Sequence, residues 1–242
     1  TSEKAKNYLM ENFDTKYIEA ITINKCQEES WLEKWKEHYH PIEITNDFVV
    51  LPSWTSTTPY ENKKIMRIDP GQAFGTGSHE STKLCLSLIE KHFNAPKALD
   101  VIDFGCGSGI LALSHLLLNP EATTYLFDID PAAYDNIEVN RALNQLDTNK
   151  TILIPAGEEL SAPWNQRQYD VVMANILLPI LLNKADLLSS LVKQEGYLLI
   201  SGIMNDQWEE LSQKLSEFGN WELVDQKELN SWMAVLIKKI NS

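Results

Sequence analysis

From Ala98 onward the chain alternates between short apolar runs and longer segments whose apolar positions recur at helical spacing. The runs predict strands over residues 99–104, 124–128, 151–155, 169–174 and 196–201. The periodic segments predict helices over 109–118, 131–143, 178–192 and 206–218. Strands alternating with helices argue for a parallel sheet covered on both faces. The end of the chain departs from that rule. Two further strands, 221–226 and 232–238, are separated only by residues 227–231, too few for a parallel crossover, so they are expected to pair antiparallel. Upstream the elements are shorter. A helix capped by Ser2 is expected to residue 13, a strand over 17–24, and a helix over 28–39 that carries Trp31 and Trp35 one turn apart and stops at His40-Pro41. Residues 42–44 and 48–51 flank Thr45-Asn46-Asp47 as a hairpin, followed by a strand over 64–68 and a helix over 81–93.

The first candidate for chemistry sits where strand 99–104 meets helix 109–118, in Asp103-Phe104-Gly105-Cys106-Gly107-Ser108-Gly109. Glycines there let the backbone turn tightly and approach a ligand closely, and the helix start offers free N–H donors. A nicotinamide fingerprint would place its third glycine where this chain has Ile110. Asp103 suits either a ligand ammonium group or the amides of the loop itself. Nineteen residues beyond Gly109, the next strand ends in Asp128-Ile129-Asp130-Pro131. A carboxylate at that tip can accept both hydroxyls of a ribose, the role expected of Asp128, whereas Asp130 before a proline is placed to cap the following helix. Loop and acid together point to a nucleoside cofactor. Strand 169–174 runs into Asn175-Ile176. An amide carbonyl there can orient a substrate amine, and the alternative role is to cap the helix that follows. Before residue 95, Asp69-Pro70-Gly71-Gln72-Ala73-Phe74-Gly75-Thr76-Gly77-Ser78-His79-Glu80-Ser81-Thr82 forms a second glycine-rich segment able to cover a cofactor or line an entrance. His79 reads as a capping or packing residue rather than a base or ligand. Glu158 and Glu159 follow the third strand, either near an adenine or in a solvated loop.

Composition narrows the partners. Acids number 34 against 21 lysines and arginines, a formal net charge of -13. Nucleic acid is disfavoured as a direct partner, and a basic protein would be drawn to such a surface. The three cysteines, Cys26, Cys85 and Cys106, follow neither a zinc nor a disulfide pattern and read as free thiols of a cytoplasmic protein; no metal is expected. No apolar run reaches the length of a membrane span, and the start lacks a signal-peptide layout. The start at Thr1 rather than methionine leaves room for residues upstream.

In this order, these segments resemble the bacterial ribosomal-protein-L-eleven methyltransferase family, often called PrmA, over residues 31–239. The stretch from Asp69 to Thr82 and Ala174-Asn175-Ile176 carry the resemblance most specifically, with the tryptophan helix, His40-Pro41 and Pro52-Ser53-Trp54 in support. Where the family reads His-x-Thr-Thr, this chain has His79-Glu80-Ser81-Thr82. The resemblance implies a Rossmann-like α/β methyltransferase sheet of seven strands with an antiparallel C-terminal hairpin, preceded by a small N-terminal α+β segment. It implies S-adenosylmethionine as cofactor, touched by Thr82, Gly105, Asp128 and Asn175. Asp103, Gly107 and Gly109 join that set as parts of the glycine-rich turn. The implied activity is methylation of lysine ε-amines, and of an N-terminal α-amine, on a basic large-subunit ribosomal protein. Asn175 would orient the amine and Phe74, with Ile176, would wall the pocket. Residues 1–40 are expected to be a shortened recognition segment with a linker helix, residues 41–242 the catalytic domain, and the protein a monomer. Three other readings stand beside this one: a methyltransferase for another amine or a small molecule, a cofactor-binding regulator without catalysis, and a nicotinamide oxidoreductase.

Overall fold

The computed structural model describes residues 39–70 and 77–241. The elements expected before residue 39, and Phe74, lie outside those residues. Beyond Pro41 the chain first forms β1 (Ile42–Glu43), β2 (Phe48–Pro52) and β3 (Lys64–Ile68). The β1–β2 hairpin is antiparallel, as its turn residues predict, while β3 joins β2 in parallel, Val50 opposite Met66. Helix α1 (Glu80–Phe93) then leads into the main sheet.

That sheet contains β4 (Asp100–Phe104), β5 (Thr123–Phe127), β6 (Thr151–Leu153), β7 (Tyr169–Asn175), β8 (Val192–Met204), β9 (Asn220–Leu229) and β10 (Trp232–Ile240), interspersed with α2 (Ile110–Leu118), α3 (Ala132–Leu143), α4 (Leu178–Asn183), α5 (Ala185–Leu191) and α6 (Trp208–Ser216). Its strand order is β6-β5-β4-β7-β8-β10-β9. The pairs from β6 to β8 are parallel, and β10 is antiparallel to both β8 and β9. Parallel strands with both faces covered must be apolar throughout, which explains the uninterrupted runs read in the sequence: Val101, Ile102, Val171, Val172, Leu198 and Leu199 are all fully buried. Helices α1 and α2 pack together on one face, and α4, α5 and α6 pack together on the other, with Leu181, Leu188 and Leu211 in the core. Among the described residues no helix is long and apolar enough to cross a membrane.

Several boundaries differ from expectation, three of them with a visible cause. The single helix expected over 178–192 breaks at Lys184 into α4 and α5, and α5 packs against β7 and β8. Strand β8 begins at Val192, before the apolar run at 196–201, and Val192 pairs with Tyr169 of β7 ahead of an irregularity in that pairing. Strand β9 continues past Gln226 to Leu229, leaving the two-residue turn Asn230-Ser231 with Asn230 at φ 55. Charged residues are at home on an edge strand, so their polarity does not end it.

Candidate active site

The strand order reverses between β4 and β7: the chain leaves β4 outward through β5 to β6, then returns to lay β7 on β4's other side. Loops leaving neighbouring strands in opposite directions open a crevice at their carboxyl ends. Both sequence motifs, the turn after Phe104 and Asn175-Ile176, project into it.

The turn after β4 takes positive φ at Gly105 (77), Gly107 (50) and Gly109 (77). Gly105 and Cys106 donate their amides to the Phe127 carbonyl at 2.8 and 3.0 Å, tying the turn to the end of β5. A side chain at Gly105 would put its Cβ 2.6 Å from Ile176 Cγ2, so the crossing of the two loops requires glycine there. Asp128, half-buried after β5, accepts from the Gly107 amide through Oδ2 (2.8 Å) and from the Asp130 amide through Oδ1 (3.0 Å). Each carboxylate oxygen has a second lone pair, which leaves Asp128 able to accept two further hydrogen bonds. Asp130 accepts from the Ala132 amide at 2.9 Å, the capping role read from its place before Pro131.

Asp103 points the other way. It is 1% exposed, and its Oδ2 accepts from the Ala112 amide in the first turn of α2 (3.2 Å). Burial pushes its pKa up to about 7; the Ala112 hydrogen bond opposes the rise and the charge of Asp128 adds to it. The amide it holds belongs to α2, beyond the loop whose own amides the sequence reading offered as partners.

Asn175 ends β7. Its Nδ2 donates to Thr82 Oγ1 at 3.3 Å, and Thr82 is fully buried in the first turn of α1. Its Oδ1 is buried and has no hydrogen-bond partner among the described residues. Helix α4 starts beyond Leu177 without a side-chain cap, so Asn175 is not spent on capping. The next residue is fixed from both sides: besides Gly105, Gly202 (φ 82) passes so close that an added Cβ would lie 2.4 Å from the Ile176 carbonyl oxygen. His79 caps α1, its Nδ1 accepting from the Ser81 amide (3.3 Å), and its ring stands edge-on to Trp232 at 4.5 Å.

These groups surround a cavity of about 640 Å³, lined by Gly105, Gly107, Phe104, Phe127 and Asp128 together with His79, Asn175, Ile176, Gly202 and Trp232. Glu158 lies on its wall, while Glu159 is turned to Lys184 at 2.6 Å. The structure thus brings Gly105, Gly107, Asp128 and Asn175 together, with Thr82 directly behind Asn175. Asp103 and Gly109 stand beneath the turn rather than on the wall. The donor set fits a nucleoside carrying a charged tail: a bidentate-capable carboxylate, a side-chain-free cradle, two phenyl rings and an orphaned acceptor.

The comparisons with known proteins agree over nearly the whole chain. The family model described as Ribosomal protein L11 methyltransferase (PrmA) matches residues 1–240. The chain belongs to the ribosomal protein L11 methyltransferase family. Among its relatives, the Ribosomal protein L11 methyltransferase of Bacillus subtilis (strain 168) is 32% identical over 98% of this chain and 74% of the relative. That of Streptococcus uberis is 36% identical over 91% and 67%. A crystal structure of ribosomal protein L11 methylase from Lactobacillus delbrueckii subsp. bulgaricus superposes with a TM-score of 0.73 at 30% identity, covering 84% of this chain and 100% of that one. Precorrin-6y C5,15-methyltransferase from Geobacter metallireducens, with 14% identity and a TM-score of 0.52, shares the fold.

Within this family member, sequence reasoning missed Phe104, Phe127, Gly202 and Trp232 as cavity residues. The phenylalanines read as ordinary strand core. Gly202 carried a signal, a lone glycine directly after an apolar strand, and Trp232 none beyond its place at the start of a strand.

Proposed function

We propose that this protein transfers methyl groups from S-adenosylmethionine to lysine ε-amines, and to an N-terminal α-amine, of a basic large-subunit ribosomal protein. The observation that carries the reading is a cavity lined by Asn175, whose buried Oδ1 has no hydrogen-bond partner among the described residues, together with Asp128 and the glycine turn. In this reading residues 1–40 serve recognition and residues 41–242 catalysis.

When bound, S-adenosylmethionine supplies an electrophilic methyl group on sulfur. Gly105 and Gly107 would leave it room, Asp128 would accept from its ribose hydroxyls, and Phe104 and Phe127 would line the apolar wall beside it. Asp103 stiffens the turn from below. A lysine in water has a pKa of about 10.4 and is nearly all charged at pH 7. Passing Ile176 and Trp232 strips its water and favours the neutral amine. The Asn175 carbonyl then accepts an amine N–H and aims the lone pair, while Thr82 fixes the rotamer of Asn175. Water takes the proton; the wall residues His79 and Glu158 are not required as bases.

Incubation of the enzyme with labelled S-adenosylmethionine and ribosomal protein L11, followed by mass spectrometry, tests the proposal. Methylated lysines are the expected result. Label appearing only on nucleic acid or on small molecules would overturn the substrate. Asn175→Ala is expected to lower kcat about 100-fold through lost alignment, with a much smaller change in cofactor affinity. Unchanged kcat would remove Asn175 from the chemistry.

A further inference from the structure

Helix α3 carries two asparagines one turn apart, Asn140 and Asn144, and both amides are spent on other elements. Asn144 accepts from the Arg67 amide and donates to the Arg67 carbonyl, each at 2.7 Å, as a neighbouring strand would on the open edge of β3. Asn140 is fully buried. Its Oδ1 accepts from the Asp69 amide (2.7 Å) and its Nδ2 donates to the Ser108 carbonyl (3.1 Å) and to Asn136 Oδ1 (2.7 Å).

One primary amide therefore touches both glycine-rich segments. Ser108 lies between Gly107 and Gly109 in the turn after β4. Asp69 follows directly on β3, and His79, ten positions on in the sequence, lines the cavity. Helix α3 itself begins just beyond Asp128, whose carboxylate holds Gly107. Substitution by a hydrophobic residue would leave the Asp69 donor without its Asn140 acceptor inside the protein, where such a group is costly.

We infer that Asn140 is a positioning residue that couples the cofactor turn to Asp69 at the end of β3, so that a change at one is felt at the other. The inference rests on the site reading above. Asn144 serves as its internal control, since it anchors β3 without reaching the turn.

The test uses three variants, with S-adenosylhomocysteine binding measured by calorimetry, steady-state kinetics on ribosomal protein L11, and hydrogen exchange of the ligand-free protein. Asn140→Ala is expected to weaken S-adenosylhomocysteine and raise the acceptor KM, each about fivefold or more, and to speed exchange at Asp69 and Gly107. Asn140→Asp, assayed at pH 8, keeps an acceptor for Asp69 but has no proton for Ser108. It is expected to weaken the cofactor side while Asp69 stays protected, and it serves should the alanine variant not fold. Asn144→Ala is expected to raise only the acceptor KM and to leave S-adenosylhomocysteine affinity within about twofold. A merely structural role would lower the melting temperature of all three alike with binding and KM unchanged, and that result would overturn the coupling. Failure of the unmodified protein to bind S-adenosylhomocysteine would sink the site reading instead. The exchange pattern of the ligand-free variants would still decide the coupling.

Discussion

Gly105→Ala isolates the steric demand at the centre of the site. The φ of 77 at this position costs an alanine about 1 kcal/mol. The new methyl would also lie 2.6 Å from Ile176 Cγ2, about 1 Å inside an ordinary carbon contact. Relief requires the Ile176 side chain or the turn to move, an overpacking cost of about 1–3 kcal/mol. The variant should therefore lose about 2–4 kcal/mol, from a total stability of about 5–15 kcal/mol for a typical domain, and remain folded. The two components separate in a double-mutant cycle with Ile176→Ala, which removes the obstructing methyl but leaves the backbone strain. Urea unfolding of the four proteins should give a favourable coupling of about 1–3 kcal/mol, with about 1 kcal/mol not recovered. S-adenosylmethionine affinity should fall in Gly105→Ala, because the displaced group is part of the cavity wall, and should recover in part in the double variant. Strictly additive unfolding energies would show that the two loops do not meet as described.

Asp128→Asn replaces an acceptor by a donor on a side chain that already holds the Gly107 and Asp130 amides; calorimetry should show S-adenosylmethionine binding weakened about 10–100-fold, and an unchanged Kd would take Asp128 out of the site. His115 is fully buried, neither ring nitrogen has a partner among the described residues, and burial depresses its pKa from 6.5 to about 4. The stability tied to its neutral form is present above pH 6.5 and is lost as pH falls toward 4, a total of about 3 kcal/mol. His115→Leu should be more stable than the parent by about 1–2 kcal/mol at pH 7 and should lack that share of the acid slope. Parallel unfolding curves for parent and variant between pH 6.5 and 4 would refute the assignment.

The order of elements, the parallel sheet and its antiparallel end were legible in the chain because they follow from local pattern. Doubly covered strands must be continuously apolar, helices repeat at their own period, and five residues between two strands exclude a crossover. The glycine turn was legible for the same reason, since the positive φ angles of Gly105, Gly107 and Gly109 are a demand that each residue meets by itself. The limits of β8 and β9 were not, because a strand's end follows its partner: Val192 pairs with Tyr169 ahead of the apolar run, and the polar end of β9 is held by β10 across a two-residue turn. The break at Lys184 also escaped, since the apolar period runs through it undisturbed.

The tertiary structure alone decided which candidates share a wall. It turned the carboxyl of Asp103 under the turn, because a buried acid beside the α2 amides finds its hydrogen bond there. Asn175 keeps one buried oxygen without a partner among the described residues, because Thr82, ninety-three positions away, takes only its donor. Trp232 and Gly202 joined the site through strand order, which places β10 next to β8 and the end of β8 next to β7. Local sequence determines which residues are equipped for chemistry; the reversal between β4 and β7 determines which of them meet, and that reversal is a property of the whole sheet.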